Sequence, residues 1–405
     1  MLASPLYQQE FYPAPALAIL AWVLVWGIIG GVVTPRVYRR KDLDASSATL
    51  YGAIAGAGTG PILPVYLWLK TPPLNWRWIV APSLLTLGFL YWSFATYHPS
   101  NLCATNATYV VTQISNGVLI GILYGVIAMG LTLIFSILGI VSFAHGQFYM
   151  IGGYAAFYTI NESLGLGLNP IVGIFAAGLV TLIIGLAFER TLLRPMHLGK
   201  VERPGEYAIL LTFGLAFLLE YSMLATVGAN PRKVDPYLPI GNITLGAISL
   251  PPSRVIAAAI GLLILAALLW FLNYTWVGKA LRAVSQDKEA AAVVGINPLR
   301  MNTLAFGLGA MLAGLSGAAM VQVLSWVPNV SGLASIRSFV VIVLGGMGSL
   351  PGAMVGGIVI GIVESLGVGC FPDIGRALAY QQVFGLIIFA FVLLLKPTGL
   401  FGREL

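Results

Sequence analysis

Apolar stretches long enough to cross a lipid bilayer recur along this sequence from its first residues to its last. About 20 apolar residues in a helix span the roughly 30 Å hydrocarbon core of a membrane. Only 9% of the 405 residues are charged, whereas about a quarter are charged in a soluble globular domain. We therefore predict an all-α fold, a polytopic transmembrane helical bundle.

The apolar runs predict twelve membrane segments, at 14–34, 50–69, 79–97, 113–138, 143–160, 170–188, 206–227, 255–273, 300–322, 336–349, 351–366 and 380–395. The segments at 336–349 and 351–366 are shorter than an ordinary span. Gly345, Gly346, Gly348 and Pro351 interrupt the sequence there. Irregular backbone is tolerated at membrane depth only where protein or a wet cavity surrounds it. We expect broken, half-length or re-entrant helices in this region.

An excess of Lys and Arg on the cytoplasmic side orients the loops. One orientation places most of the 21 basic residues inside, and it leaves outside Arg232, Lys233, Arg254, Arg337 and Arg376. This orientation requires segment 50–69 to enter and leave the membrane on the same side. Its six glycines and prolines between 52 and 64 suit such a hairpin. A full span that breaks the charge rule is the equally weighted alternative.

Several kinds of chemistry are excluded by what the sequence lacks. The basic residues lie in short loops and form no stripe with aromatics, so we expect no nucleic-acid binding. With three histidines, two cysteines and no HExxH or GxSxG motif, no catalytic, metal or cofactor site is expected. The glycine-rich run 345–357 lacks the Lys-Ser/Thr ending of a phosphate loop. Cys103 and Cys370 both fall outside, and we expect two separate thiols rather than a disulfide.

The most charged stretch within the hydrophobic body runs from Thr275 to Arg300. Good helix formers with apolar residues on one side extend from Leu281 to Val294, and Gly295 follows as a stop signal. These features predict one short amphipathic helix at the cytoplasmic face, near 281–296.

Within that stretch, Glu289-Ala290-Ala291 and Gly295 form the pattern E-A-A-x-x-x-G. This pattern resembles the coupling helix of ATP-binding-cassette (ABC) importer permeases. Three further stretches resemble the permease subunits of branched-chain and hydrophobic amino acid ABC importers, including their urea and amide relatives: LTLIFSILGIVSFAHGQFYMIGGY at 131–154, VLGGMGSLPGAMVGGIVIGIVESLG at 343–367, and KPTGLFG at 396–402. The resemblance covers 113–405, so we predict a permease core there and an N-terminal extension with two or three membrane segments at 1–112.

The resemblance implies a translocation subunit in the plasma (inner) membrane of a prokaryote, surrounded by lipid. Amino acids, most plausibly branched-chain or other neutral ones, would be delivered by an extracytoplasmic solute-binding protein. ATP hydrolysis would occur on separate ATPase subunits, and a second homologous permease or a second copy would complete the pore. The implied coupling residues are Arg282, Asp287, Glu289, Ala290, Ala291 and Gly295. An ATPase-independent carrier or channel for a small solute such as urea or an amide is the alternative.

A helix break is expected at Ser142, His145, Gly146 and Gln147, where one apolar segment ends and the next begins. Such a break exposes backbone groups that could line a translocation path. The alternative is that His145 and Gln147 only hold the break in shape. A second break is expected at Gly345, Gly346 and Gly348. For the glycine-rich run 345–357, with its Gly352-x-x-x-Gly356 and Gly357-x-x-x-Gly361 spacings, we favour close helix packing through small residues over direct gating.

Three ionisable residues lie within apolar runs, where charge is costly: Glu220, Arg337 and Glu364. The two glutamates lie near the outer ends of their segments, so snorkelling to the surface, pairing with Arg337 and a role in transport are all open, and the sequence identifies no pair.

Overall fold

The fold is described by a computed structural model, which covers residues 13–40, 48–59, 103, 106–238, 241–245, 248–371, 374–395 and 398–402. The predicted segment 79–97 and the second half of the predicted segment 50–69 lie outside the described residues. The described chain divides into one unit of residues 1–107 with 370–375, and a second of 108–369 with 376–405.

The described secondary structure is almost entirely helical, as predicted. The α-helices are α1 (Pro13–Arg40), α2 (Ala48–Thr59), α3 (Ala107–Leu138), α4 (His145–Ile160), α5 (Pro170–Phe188), α6 (Arg194–His197), α7 (Pro204–Val227), α8 (Pro252–Tyr274), α9 (Trp276–Gln286), α10 (Lys288–Val293), α11 (Pro298–Met320), α12 (Val330–Gly345), α13 (Leu350–Gly369) and α14 (Ile374–Leu395). A π-helical turn, Glu189–Leu193, joins α5 to α6, and a two-stranded antiparallel hairpin is formed by β1 (Ile243–Leu245) and β2 (Ile248–Leu250).

Within the described residues, six helices are long and apolar enough to cross a membrane: α3, α5 with its continuation to His197, α7, α8, α11 and α13. The expectation of a half-length helix at 351–366 was wrong, because α13 continues to Gly369 and has 20 residues. The predicted helix was too short because glycine has a low helix propensity, so a glycine-rich stretch is a poor helix signal in a sequence. The predicted break before it is confirmed between Gly345 and Leu350, after the 16-residue α12.

The first unit contains α1 and α2, which pack through small residues. A Cβ at Gly30 of α1 would lie 2.8 Å from the Cα of Gly56 in α2, and a Cβ at Gly31 would lie 3.4 Å from Ala53. Without side chains in the way, the two backbones approach closely, which is a common way for helices to associate in lipid.

The core of the second unit is built on α3 and α11, the two most buried of the six candidate spans. On one side, α3 packs directly against α13. A Cβ at Gly121 would lie 2.6 Å from the Cα of Ile358, and a Cβ at Gly361 would lie 2.5 Å from the Cα of Gly121. The glycines at these positions allow the two backbones to approach closely.

On its other sides, α11 packs against α4 and α5 through small residues. Glycines at 152 and 314 bring α4 and α11 into backbone contact, and the Thr181 side chain of α5 covers Gly314. Side chains exposed on the outer helices are large and apolar, for example Phe175, Leu210 and Leu263. These helices are therefore the lipid-facing surface.

The loop between α7 and α8 is anchored to the loop after α11. Arg232 and Trp326 exchange two backbone hydrogen bonds, of 2.8 and 2.7 Å. The fully buried Trp326 donates its ring N–H to the carbonyl of Met150 at 3.1 Å. Tyr237 donates its hydroxyl to the carbonyl of Ala318, and burial raises the pKa of this phenol above its ordinary value. The orientation derived from basic residues predicts that this tied loop faces outward.

Cys103 and Cys370 form a disulfide, with Cα atoms 5.4 Å apart. The expectation of two separate thiols was therefore wrong. A separation of 267 residues kept their proximity invisible in the sequence. Disulfides persist in oxidising compartments, which agrees with the outward placement of both cysteines.

We expect Gly361→Val to destabilise the second unit, because its side chain would meet the α3 backbone. Overpacking of this kind costs about 1–3 kcal/mol. Gly214→Val is the matched control, since a Cβ at Gly214 of α7 meets nothing within 4 Å. Thermal unfolding in detergent should show a lower midpoint for Gly361→Val only. Equal midpoints for the two variants would contradict the close contact of α3 with α13.

The disulfide can be tested by cutting the chain between its cysteines. A protease site inserted at Leu166, which is 73% exposed in the loop between α4 and α5, should yield two fragments that separate on a denaturing gel only after reduction. Cys103→Ser should remove the need for reduction. Separation of the unreduced fragments without that substitution would exclude the disulfide.

Candidate functional site

The first predicted helix break lies between Leu138 and His145 and is packed into the protein core. Gly139 has a φ of 75°, a left-handed conformation that suits glycine. The fully buried His145 ring forms a 2.8 Å hydrogen bond through Nε2 to the carbonyl of Ile127 in α3. The Gly146 N–H donates to the hydroxyl of Ser335 in α12 at 3.0 Å. The break is thus held by α3 on one side and by α12 on the other.

Gln147 connects this break to an intramembrane carboxylate. Its Nε2 donates to Glu220 of α7 at 3.3 Å, and the hydroxyl of Ser331 in α12 donates to the same carboxylate oxygen at 2.9 Å. Among the described residues, the buried Ser142 hydroxyl and the Gln147 side-chain oxygen have no hydrogen-bond partner.

A second polar cluster pairs the two remaining intramembrane charges. Arg337 of α12 donates its Nε–H to Glu364 of α13 at 3.2 Å. The Tyr124 hydroxyl of α3 and the Gln381 amide of α14 donate to the same carboxylate at 3.1 and 2.9 Å. The Arg337 guanidinium also lies 5.0 Å from the centre of the Tyr124 ring, within cation–π range. The sequence identified no pair, and the structure shows that Glu364 rather than Glu220 is the partner of Arg337.

A cavity of about 40 Å³ lies beside this cluster, between α3, α4, α11 and α12. Its lining is Leu123, Tyr124, Ile127, Tyr149, Ser316, Met320, Leu324, Val330, Leu333, Ala334 and Arg337. One water needs at least about 10–15 Å³ of such volume, so a few waters fit and a whole amino acid does not. The walls are mostly apolar, with Arg337, two tyrosines and one serine as polar groups.

The second predicted break, after Gly345, is packed against the C-terminal segment. Gly346 and Gly348 have φ values of 101° and 85°. The N–H groups of Leu400 and Phe401 donate to the carbonyls of Leu344 and Gly345 at 2.8 and 2.9 Å. These bonds satisfy carbonyls that the end of a helix leaves without partners. The C-terminal motif therefore completes α12, a contact that sequence reasoning missed.

The predicted path residues do not form one site in this structure. His145, Gly146 and Gln147 lie against α3, α7 and α12, whereas the three glycines at 345, 346 and 348 lie at the opposite end of α12. None of these six residues, nor Ser142, lines the cavity. The cavity residues Tyr124 and Tyr149 were missed, and their only sequence signal is a hydroxyl within an apolar run.

The predicted coupling segment forms two helices instead of one helix near 281–296. α9 is amphipathic and buries Gly278, Ala280, Leu281 and Val284. It ends at Gln286 because the Asp287 carboxylate caps α10, accepting hydrogen bonds from the N–H groups of Glu289 and Ala290 at 2.9 and 3.0 Å. Aspartate is among the strongest N-cap residues, and this cap was overlooked in the prediction of a single helix.

Local contacts fix the shape of this segment. Arg282 donates to the Asn273 side chain of α8 at 3.0 Å, and Ala291 is buried. A Cβ added at Gly295 would meet nothing within 4 Å, but the residue has a φ of 87°. Glycine is therefore required here by the left-handed backbone conformation and not by close neighbours. Glu289 and Ala290 are exposed. Desolvation by neighbouring atoms lowers the pKa of the Lys288 ammonium below its ordinary value.

Two apolar side chains project from the end of α10. Val293 and Val294 are 88% and 75% exposed. Charged Asp287, Lys288 and Glu289 lie at the start of the same short helix, three alanines before the valines, so the hydrocarbon of the membrane is a poor environment for this tip. Exposed apolar groups beside charges are typical of a protein interaction site.

Comparison with known proteins identifies the family. A model described as "Branched-chain amino acid transport system / permease component" matches residues 113–393. The chain belongs to this family. The matched region of the permease begins near the start of α3 and includes the cavity, both helix breaks and the coupling segment.

Individual relatives agree with this assignment. The permease is 31% identical to "High-affinity branched-chain amino acid transport system permease protein BraD" of Pseudomonas aeruginosa, over 72% of this chain and 95% of the relative. It is also 31% identical to the LivH permease protein of Escherichia coli K12, over 73% of this chain and 96% of the relative. A probable LivH protein of the archaeon Methanocaldococcus jannaschii is 26% identical over 69% and 88%. No solved structure matches.

Removal of the Glu364 carboxylate should destabilise the permease. Glu364→Ala leaves Arg337 buried without its counter-charge, and breaking a buried pair in this way costs about 3–5 kcal/mol. Glu206→Ala is the matched control, because Glu206 pairs with Arg203 at 3.3 Å on the surface, where a pair contributes less than about 1 kcal/mol. Thermal unfolding midpoints in detergent measure both. A Glu364→Ala midpoint as high as that of Glu206→Ala would contradict the buried pair.

Proposed function

We propose that this permease is the translocation subunit of an ABC importer that carries branched-chain amino acids inward across a prokaryotic plasma membrane. Paired ATPase subunits would bind its coupling segment, and a solute-binding protein would deliver the amino acid at the outer face. The permease itself would have no catalytic site, and ATP hydrolysis would occur on its partners.

The exposed tip of α10 is the observation that carries the ATPase proposal. Val293 is the last residue of α10 and Val294 is its C-cap. The Asp287 cap starts this helix and the left-handed Gly295 follows its end. A rigid, short helix with an apolar end and the exposed Glu289 carboxylate suits insertion into a groove of a partner. Because α9 packs its buried face on the helix bundle, a push on α10 would reach α8 and α11 directly.

The substrate class is supported by the relatives and by the chemistry of the cavity. BraD and LivH are named as permeases for branched-chain amino acids. Leucine, isoleucine and valine combine an apolar side chain with two charged groups. The cavity has largely apolar walls with Arg337 and hydroxyl groups among them.

A second permease subunit is supported by a weaker similarity. The chain is 27% identical to the LivM permease protein of Salmonella typhimurium, over 56% of this chain and 57% of that protein. Salmonella typhimurium thus has two permease proteins, LivH and LivM, that are both similar to the present chain. A heterodimer of two homologous permeases, or a pair of identical copies, would then enclose the solute path.

The membrane assignment follows from the same relatives. Six helices of the described chain are long and apolar enough to span a bilayer, so the permease is a multi-pass membrane protein. Its named relatives come from bacteria and an archaeon, which supports the prokaryotic plasma membrane. An ATPase-independent carrier is not favoured, because the matching family is described as the permease component of a transport system.

The coupling role predicts that Val293→Asp in combination with Gly295→Val releases the ATPase subunits. Burial of one valine contributes about 1.5 kcal/mol or more, and about 1.4 kcal/mol is tenfold in affinity. Co-purification of the ATPase from detergent-solubilised membranes should therefore fall at least about tenfold. Leucine uptake should fall with it, while the permease stays folded.

The matched control is Leu164→Asp with Gly167→Val, in the loop between α4 and α5. Leu164 is 52% exposed and Gly167 has a φ of 64°, so apolar exposure and backbone strain are similar, but the predicted topology places this loop outside. Normal co-purification and uptake in the α10 variant, or equal loss in both variants, would overturn the coupling assignment.

A further inference from the structure

We propose that the guanidinium of Arg337 binds the carboxylate of the transported amino acid, in the cavity between α3, α4, α11 and α12. The inference rests on the proposed function, since it takes an amino acid as the solute. It adds a binding site within this chain, distinct from the receptor that would deliver the solute.

Arg337 is the basic residue of the cavity lining, so the ion pair meets the cavity through its positive member. Arg337 borders the cavity, whereas Glu364 is absent from the lining. The side chains are 15% and 3% exposed, respectively. Both residues also line a second, smaller pocket, so within the pair only Arg337 borders both spaces.

The guanidinium also has donors to spare. An arginine carries five N–H donors, and in the described part of the chain only Nε of Arg337 donates a hydrogen bond, to Glu364. The two terminal nitrogens carry the other four N–H groups. A carboxylate accepts two parallel bonds from such a fork, which is the strong bidentate geometry of arginine–carboxylate recognition.

Glu364 acts as a positioning residue for this fork. Its carboxylate is itself fixed by Tyr124 and Gln381, and Tyr124 stacks under the guanidinium. Direct contacts from two helices, α3 and α13, therefore hold the arginine, and α14 supports them through Glu364. A preorganised donor loses less conformational entropy when it binds an anion.

The remaining walls suit an aliphatic side chain. Leu123, Ile127, Leu324, Val330 and Leu333 line the cavity. An apolar wall beside a charged fork selects an amphiphilic solute, with the carboxylate on Arg337 and the branched chain against these residues. The aromatic ring of Tyr149, which also lines the cavity, offers a site for the solute ammonium.

The arrangement of α12 indicates how the cavity could widen to admit the solute. Val330, Leu333, Ala334 and Arg337 have the spacing of one helix face, and all four line the cavity. α12 has only 16 residues and ends at the left-handed Gly346. A displacement of this short helix would move one whole wall together with the arginine.

A single reactive cysteine in the cavity tests the site. Leu333→Cys places a thiol on the wall, where Leu333 is 42% exposed, and the two native cysteines are joined in the disulfide. The rate at which a small thiol reagent labels this subunit is measured in the complete complex, in lipid nanodiscs with ATP. The measurement is made in the presence of leucine or of leucinamide. We expect leucine to slow labelling at least about fivefold and leucinamide, which has no carboxylate, to have little effect.

The double variant Arg337→Gln with Glu364→Gln then removes the fork without leaving an unpaired charge. In this background, leucine should no longer slow labelling of the cysteine. If the double variant does not assemble, Arg337→Lys is measured instead. This variant keeps the charge and loses the fork, so the leucine concentration for half-protection should rise at least about fivefold. Leu164→Cys, in the loop between α4 and α5, should be unaffected by either solute.

The inference is overturned if leucine and leucinamide protect equally, if leucine does not protect, or if protection is unchanged in the arginine variants. ATP-driven leucine uptake by the same purified wild-type complex, reconstituted into liposomes, separates this inference from the proposed function. Uptake with equal protection by both solutes would remove only the Arg337 site. No uptake would remove the proposed function.

Discussion

Close backbone contact between helices is the condition on which this structure depends. Lipid tails are as apolar as the side chains, so the hydrophobic effect does not drive one transmembrane helix against another. Helices in a membrane associate through dispersion contacts and hydrogen bonds instead. Glycines at 121 and 361 bring α3 and α13 together, and glycines at 152 and 314 do the same for α4 and α11. These contacts place α12 between α4 and α13, so that its polar residues meet Glu220 on one side and Glu364 on the other. Without such proximity, both carboxylates and Arg337 would lie at membrane depth with unsatisfied hydrogen-bonding groups.

The same helix connects the polar clusters to the two helix breaks. At the first break, the Ser335 hydroxyl accepts a hydrogen bond from the Gly146 N–H. At the second break, the carbonyls at the end of α12 accept hydrogen bonds from the C-terminal segment. Arg337 lies between these points and borders the cavity. If partner ATPases move α10, the motion has a packed route through α9, α8 and α11 to the cavity wall. α12 is thus the element that joins both helix breaks, both polar clusters and the cavity wall.

Much of the fold was predictable because membrane segments are encoded by local composition. The bounds of α4, α5 and α8 follow from apolar runs that end at polar or proline residues. α13 was underestimated because glycine weakens the helix signal, and the coupling segment was taken as one helix because the Asp287 cap was not recognised. The pairing of Arg337 with Glu364 and of Cys103 with Cys370 depends on contacts 27 and 267 residues apart in sequence, which local patterns do not encode. The roles of the path and coupling residues, and the boundary at residue 112, remain predictions.

Leucine uptake driven by ATP is the most direct measure of the central claim that this permease belongs to an ABC importer. The tagged permease is purified with its partners and reconstituted into liposomes that contain ATP or ADP, and the binding protein and labelled leucine are added outside. The account predicts accumulation of leucine with enclosed ATP and none with ADP. Equal accumulation with ADP, or by the permease alone, would contradict it and would favour a carrier that works without an ATPase.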